Sequence, residues 1–368
     1  MKKKVIALAV ASLASGGAFA QSQVTISGAI EAHVEAASAT GATAANGNLT
    51  SRTRVMDNTS WLRFSGTENL GNGMSAYFQV ESDLGIDNAG TGASSTGNLG
   101  NRNSGVGLKG AWGDIMLGHW DMQYTSQLQG GVDFGSAGAL PHAANSMNIT
   151  ARDNVGVFGG RINNVVKYAT PDFNGLSADI LWSADTTAGA VEQMTAGLAA
   201  KNTAWNLNIR YANGPINAFY GGFRNNNVGS VNGTDQLSDR AGVAYKLPMG
   251  LKFGVVYDSS KRETAALGTT NKRTAWSLPI SYMTGPHGIY FAYAKAGNDN
   301  NVSNTGAKNV VLGYTYSLSK RTQLSATYSK ISNDSAATYD FWTRGVGIGA
   351  ANAGADPQSV AFGINHAF

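Results

Sequence analysis

Cysteine is absent from the 368 residues, so no disulfide staples the chain and no thiolate is on hand as metal ligand or nucleophile. Proline is scarce, with seven in all, and charged side chains make up only 14% of the chain. Long apolar runs are missing too. Past the first twenty residues, nothing approaches the roughly 20 consecutive apolar residues of a membrane-crossing helix. An excess of one charge is also lacking once the basic residues are located. Setting aside Lys2, Lys3 and Lys4 leaves 24 basic residues against 23 acidic ones, a net of +1. That balance removes any overall electrostatic ground for nucleic acid as a partner.

The first twenty residues read differently from the rest. Three lysines precede an apolar run from Val5 to Val10 that fades through Ala14, and Ala18 and Ala20 flank Phe19. This is the pattern of a secretory leader with cleavage between Ala20 and Gln21. It predicts a removed segment over 1–20 and one domain over 21–368. Export without disulfides leaves two classes, a secreted β protein or an outer-membrane barrel whose strands are polar at every second residue.

Alternation is widespread. Trp205, Leu207, Ile209 and Tyr211 share a face against Asn206, Asn208 and Arg210, and Val24, Ile26, Ile30 and Val34 oppose Thr25, Ser27, Glu31, His33 and Glu35. Such segments meet at short Gly-, Pro- and Asn-bearing turns: 69–73, 111–114, 171–175, 213–215, 247–250, 284–288 and 317–321. Much longer polar stretches separate the hairpins, at about 36–58, 84–101, 119–160, 184–203, 224–237, 258–272, 295–307 and 331–357. Seven hairpins plus the first and last segments make sixteen antiparallel strands with both ends on the short-turn side, as closure in lipid demands. A sandwich would show the same alternation, but not this asymmetry of connections.

Aromatics gather near the short turns: Trp112, Tyr168, Phe173, Tyr211, Tyr245, Tyr282, Tyr290, Tyr316 and the last residue, Phe368. They are placed as a membrane-interface girdle is. Pro279 falls inside an alternating segment, where it removes a ladder hydrogen bond and predicts a bulge.

The segments "WLRFSGTENLGNGMSAYFQVES", "GVGLKGAWGDIMLGH", "RINNVVKYATPDFNGLS", "YANGPI", "LGYTYSLSKRTQL" and "GINHAF" together resemble the general diffusion porins of Gram-negative bacteria, in particular the β-proteobacterial, anion-selective group. The resemblance runs from about Gln23 to Phe368. It implies an all-β, 16-stranded transmembrane barrel in the outer membrane, with short periplasmic turns, long extracellular loops and a third loop folded inward. It implies a homotrimer surrounded by outer-membrane lipid and lipopolysaccharide, and a terminal Phe368 read by the assembly machinery. The expected activity is passive diffusion of small hydrophilic solutes and ions, with a weak to moderate preference for anions and no cofactor.

By the same resemblance, Arg102 and Arg161 match two positions of the family's basic constriction wall. At a third such position this chain has Trp61, with Arg63 two residues further on the same face. Arg52 and Arg54 are further candidates from the first loop. Arg102 shares parity with the lipid-facing Val106 and Leu108, so an inward side chain requires a bulge or the end of the strand. The third loop supplies Asp121, Asp133 and Asp153 as the acidic side, with Glu31, Glu35 and Glu81 on lumen phases tempering any anion bias.

Rival readings find less support. The five histidines, His33, His119, His142, His287 and His366, are scattered, which gives neither a nucleophile with its base nor metal-ligand spacing. "GVGIG" at 345–349 lacks the strand and helix of a phosphate loop. A substrate-specific channel, hinted at by Trp61 and Trp120, and a surface receptor or adhesin barrel stay open as alternatives.

Overall fold

The structure is a computed structural model. It describes residues 23–87, 99–122, 131–134, 140–143, 160–186, 201–228, 231, 233–341 and 345–368. The expected cleavage pair Ala20 and Gln21 lies outside them, as does Asp153.

Strands β1 (Gln23–Thr40), β2 (Leu49–Asp57), β3 (Trp61–Gly71), β4 (Met74–Asp83), β5 (Ser104–Gly110) and β6 (Gly113–Asp121) open the sheet. They are followed by β7 (Arg161–Ala169), β8 (Leu176–Ser183), β9 (Ala204–Asn213), β10 (Ile216–Asn225), β11 (Thr234–Lys246) and β12 (Leu251–Thr264). The last are β13 (Thr269–Thr284), β14 (His287–Ala296), β15 (Ala307–Ser317), β16 (Thr322–Asn333) and β17 (Asp356–Ala367). Each pairs antiparallel with its chain neighbour, and β17 returns to pair with β1 from Ala29↔Ala367 to Thr40↔Asp356. The sheet has no free edge.

These seventeen segments make a closed sixteen-stranded barrel, because β2 and β3 occupy one position beside β1. The upper part of β1 pairs with β2 (Ala32↔Asp57) and the lower part with β3 (Ala29↔Trp61). Between those pairs lie Ile30 and Glu31 on one side and Asn58, Thr59 and Ser60 on the other, an excess of one residue. The bulge reverses parity, so even-numbered Arg54 and odd-numbered Arg63 both face inward. Glu31 fills it: its carboxylate accepts from Asn58 Nδ2 at 3.0 Å and Thr59 Oγ1 at 3.1 Å, and its amide donates to Ser60 Oγ at 2.8 Å.

Burial along β1 is inverted relative to a protein in water. Val34 is 54% exposed while its neighbours His33 and Glu35 are 1% and 0% exposed. The same inversion puts Val24, Ile26, Val106, Leu117, Phe253, Leu312 and Phe362 on the outer surface. An exposed apolar belt around charged interior positions is stable only with hydrocarbon outside.

Phe368 answers for the seam. Its backbone exchanges two 3.0 Å hydrogen bonds with Gly28, one in each direction, and its ring fills the space that a side chain on Gly28 would need, 2.5 Å from that Cβ position. The last residue thus closes the barrel on its lipid side.

All seven short turns occur where the sequence places them, but several strands run further than expected. The stretches 36–58 and 258–272 are mostly strand, leaving 41–48 and 265–268 as connections. At the outer rim the strands leave the lipid, so their polar residues no longer need to alternate and the pattern fades. Pro279 makes no bulge. The β12–β13 ladder skips it, yet Phe253↔Ile280 and Val256↔Ser277 keep one register. The skipped position lies opposite Gly254 in that register. Tyr290 departs from the girdle as well: it faces inward, against Phe134 and Leu140.

Candidate channel constriction

The described residues of the third loop, 131–134 and 140–143, lie inside the lumen. Val132 packs with Phe219, Ala244 and Val256 on β10, β11 and β12. Lys252 Nζ donates to the Gly131 carbonyl at 3.0 Å. Phe134, Leu140 and Ala143 pack with Ala292 and Val311 on β14 and β15. Two wall glycines make the approach possible, since Cβ atoms there would lie 3.1 Å from Val132 (at Gly254) and 3.0 Å from Leu140 (at Gly313). His142 then stacks on Phe341 with ring centroids 4.1 Å apart and hydrogen bonds through Nε2 to Glu35 of β1. An apolar foot on one side and a polar latch on the other hold the loop across the pore.

On the wall from β1 to β7, the expected basic residues come together, each with a carboxylate. Arg63 Nε donates to Glu81 Oε2 at 2.8 Å, and its guanidinium lies 4.7 Å from the centre of the Trp61 ring. Arg102 precedes β5, which frees it from strand parity. Its Nε donates to Glu81 Oε1 and its Nη1 to Asp83 Oδ1, both at 2.6 Å. Burial disfavours the Arg102 charge, but the hydrogen bonds and charges of Asp83 and Glu81 outweigh that and raise its pKa above that of a free guanidinium. Arg54 Nε donates to Glu35 Oε2 at 2.6 Å. Arg161 Nε lies 3.0 Å from Asp121 Oδ1, an electrostatic contact off the hydrogen-bond direction.

The acidic residues do not gather on one opposing face. Asp121 ends β6 and is the register partner of Arg161, so it belongs to the basic wall, where Asn103 Nδ2 also donates to it at 2.9 Å. Asp133 is buried on the far side, within electrostatic reach of Arg240 and Lys252.

What the sequence reading missed is the far wall itself. On β11, β12 and β13, lumen parity carries Arg240, Lys246, Lys252, Arg262 and Arg273. The strand carboxylate among them is Asp258, which accepts from Arg240 Nε at 3.2 Å and lies 3.9 Å from Arg273. The shared even parity of 240, 246, 252 and 262 was the available signal.

Residues 7–336 match the family described as Gram-negative porin. Outer membrane porin protein 32 of Delftia acidovorans is 30% identical over 375 residues and is covered completely, as is this chain. Major outer membrane protein P.IB of Neisseria lactamica is 26% identical over 340 residues, covering 88% of this chain and 91% of its own. Among solved structures, the anion-selective porin from Comamonas acidovorans superposes with a TM-score of 0.76 at 28% identity, over 95% of this chain and 100% of that one. With a closed barrel, an apolar outer belt and a lumen narrowed by its third loop, the chain belongs to the Gram-negative porin family and is an outer-membrane, multi-pass β-barrel channel for passive diffusion.

Proposed function

We propose that the pore passes small hydrophilic solutes with a weak to moderate preference for anions, and that the preference comes from the unequal charge of its two walls. One observation carries this reading. Arg54, Arg63, Arg102 and Arg161 are matched by Glu35, Glu81, Asp83 and Asp121, whereas the strand residues Arg240, Lys246, Lys252, Arg262 and Arg273 share one strand carboxylate, Asp258, and the third-loop Asp133. Opposed charges in a narrow, water-filled neck act on passing ions through a field that bulk water does not fully screen. The test is the zero-current potential of the folded protein in a planar bilayer under a KCl gradient. An anion-signed potential supports the reading, and a cation-signed one overturns it.

The same proposal includes a leader over 1–20 removed before Gln21, three barrels per assembly, outer-membrane lipid and lipopolysaccharide around them, and the terminal Phe368 as the feature read by the assembly machinery. Phe368 suits that role because it is 43% exposed on the outer wall at the closing seam. The reading contains no catalytic step. Among the described residues, no three His, Cys, Asp or Glu side chains are grouped to hold a metal ion.

A further inference from the structure

On the lumen face of β13, β14 and β15, Ala275, Ala296 and Ala307 stand side by side in register, with Ala294 one pleat nearer the short-turn rim. Four small side chains leave a hollow in the wall. The last long connection, 334–355, fills it from inside: Tyr339 and Phe341 pack there, 1% and 4% exposed. Arg273 Nη1 donates to Tyr339 Oη at 2.5 Å, and Asn333 holds the Tyr339 backbone, donating to its carbonyl at 2.9 Å and accepting from its amide at 3.1 Å. Asp340, between the two rings, accounts for the glycine-rich "GVGIG" stretch. Its carboxylate accepts from the amides of Phe341 at 2.7 Å, Val346 at 3.0 Å, Gly347 at 2.8 Å and Ile348 at 3.0 Å. The anion cradle is thus filled by a carboxylate of the same loop, which folds the loop back on itself. A Cβ at Gly345 would lie 2.5 Å from Asp340 Oδ2, so this fold needs glycine there.

The folded loop reaches the groups that hold the third loop in place. Glu35 of β1 accepts from Arg54 Nε of β2 at 2.6 Å, from Ser359 Oγ of β17 at 2.6 Å and from His142 Nε2 of the third loop. Phe341 lies against the His142 ring with centroids 4.1 Å apart and planes 21° apart. The Gly345 carbonyl accepts from Arg54 Nη1 at 3.4 Å. The last loop therefore touches both His142 and Arg54. His142 and Glu35 are 1% and 0% exposed, and their hydrogen bond owes its strength to the exclusion of water that would otherwise compete for both groups. Phe341 covers one face of that bond.

We infer that Phe341 is a positioning residue for the constriction: through it the last loop keeps the third loop docked, and the two loops are energetically coupled. Neither buries this contact alone. The third loop supplies the His142 ring on which Phe341 rests, and the last loop supplies the cover that keeps the His142–Glu35 bond dry. The width of the pore then depends on a segment far downstream of the loop that narrows it. The coupling concerns where the third loop sits, so it holds whichever ion the pore prefers.

The chain has no cysteine, so a single thiol can report on each loop. Ala143→Cys reports on the third loop and Ala337→Cys on the last, both at positions that are 0% exposed. Reaction with a water-soluble thiol reagent is timed on the folded protein in micelles. Phe341→Ala should speed labelling of Ala143→Cys about tenfold, and His142→Ala should speed labelling of Ala337→Cys by a similar factor, because coupling between two sites is reciprocal. Both variants should also show noisier open-channel current. Heat-dependent migration on gels checks that the barrel is closed. Where one substitution prevents folding, the other cuts the same contact from the opposite side and gives the measurement. A purely local packing role would expose only the loop that carries the substitution. Unchanged labelling of the reporter on the opposite loop, or a current as quiet as that of the unaltered protein, would overturn the proposal.

Discussion

Arg102 and Lys252 stand on opposite walls of one lumen in contrasting company. Arg102 is held by two carboxylates on the neighbouring strand, at 2.6 Å each. Lys252 donates to a loop carbonyl, and the carboxylate near it, Asp133, arrives on the third loop. A guanidinium fixed between two carboxylates shapes the wall and adds little net field. An ammonium held by a neutral carbonyl keeps its charge in play. Identity as a basic residue therefore says less about ion preference than the partners that the sheet register supplies.

The most disruptive way to break this contrast is to release the third loop, which brings Asp133 to the far wall. Leu140→Asp would bury a carboxylate among Phe134, Ala143, Ala292 and Val311, at a cost of about 3–5 kcal/mol for an uncompensated charge. The loop should undock, and single-channel recordings should show higher and noisier conductance with weaker ion preference. Next in size, Lys252→Gln with Arg262→Gln removes far-wall charge. The zero-current potential should fall toward zero, with little change in conductance if the loop stays docked.

Sharpening the contrast takes a neutral exchange on the other wall. Arg102→Gln with Asp83→Asn removes one charge of each sign, so the sign of the potential should be kept and its size barely altered in the same recordings. The smallest effect is expected from Trp61→Ala, which removes the ring beneath Arg63. Its loss should cost roughly 0.5–1 kcal/mol in thermal stability, read by heat-dependent unfolding on gels, and leave selectivity in place.

Much of the barrel is legible in the sequence because lipid imposes alternation and closure imposes an even strand number. The turn at Gly214 and Pro215, the strand Trp205 to Tyr211 and the terminal Phe368 all follow from those constraints. Legibility fades where the constraint fades. Beyond the lipid, β12 and β13 continue through polar residues to Thr264 and Thr269, with no alternation to betray them. The bulge at Asn58 to Ser60 is also invisible to pattern reading, yet it decides that Arg54 and Arg63 share a face.

The site was readable only as an inventory. Arg63, Arg102 and Arg161 could be picked out, but their pairing with Glu81, Asp83 and Asp121 depends on register between strands. Asp121 illustrates the difficulty: counted as part of a loop, it belongs to the third-loop acid group, whereas as the last residue of β6 it neutralises Arg161. The far-wall residues share a parity that was there to be seen. Their weight became apparent only once the opposite wall proved to be paired.

The decisive measurement is the zero-current potential under a KCl gradient for the unaltered protein and the two double variants side by side. Control by the far wall requires an anion-signed potential that is retained in Arg102→Gln with Asp83→Asn and largely lost in Lys252→Gln with Arg262→Gln. Loss in the first variant with retention in the second would place selectivity on the paired wall and contradict the assignment.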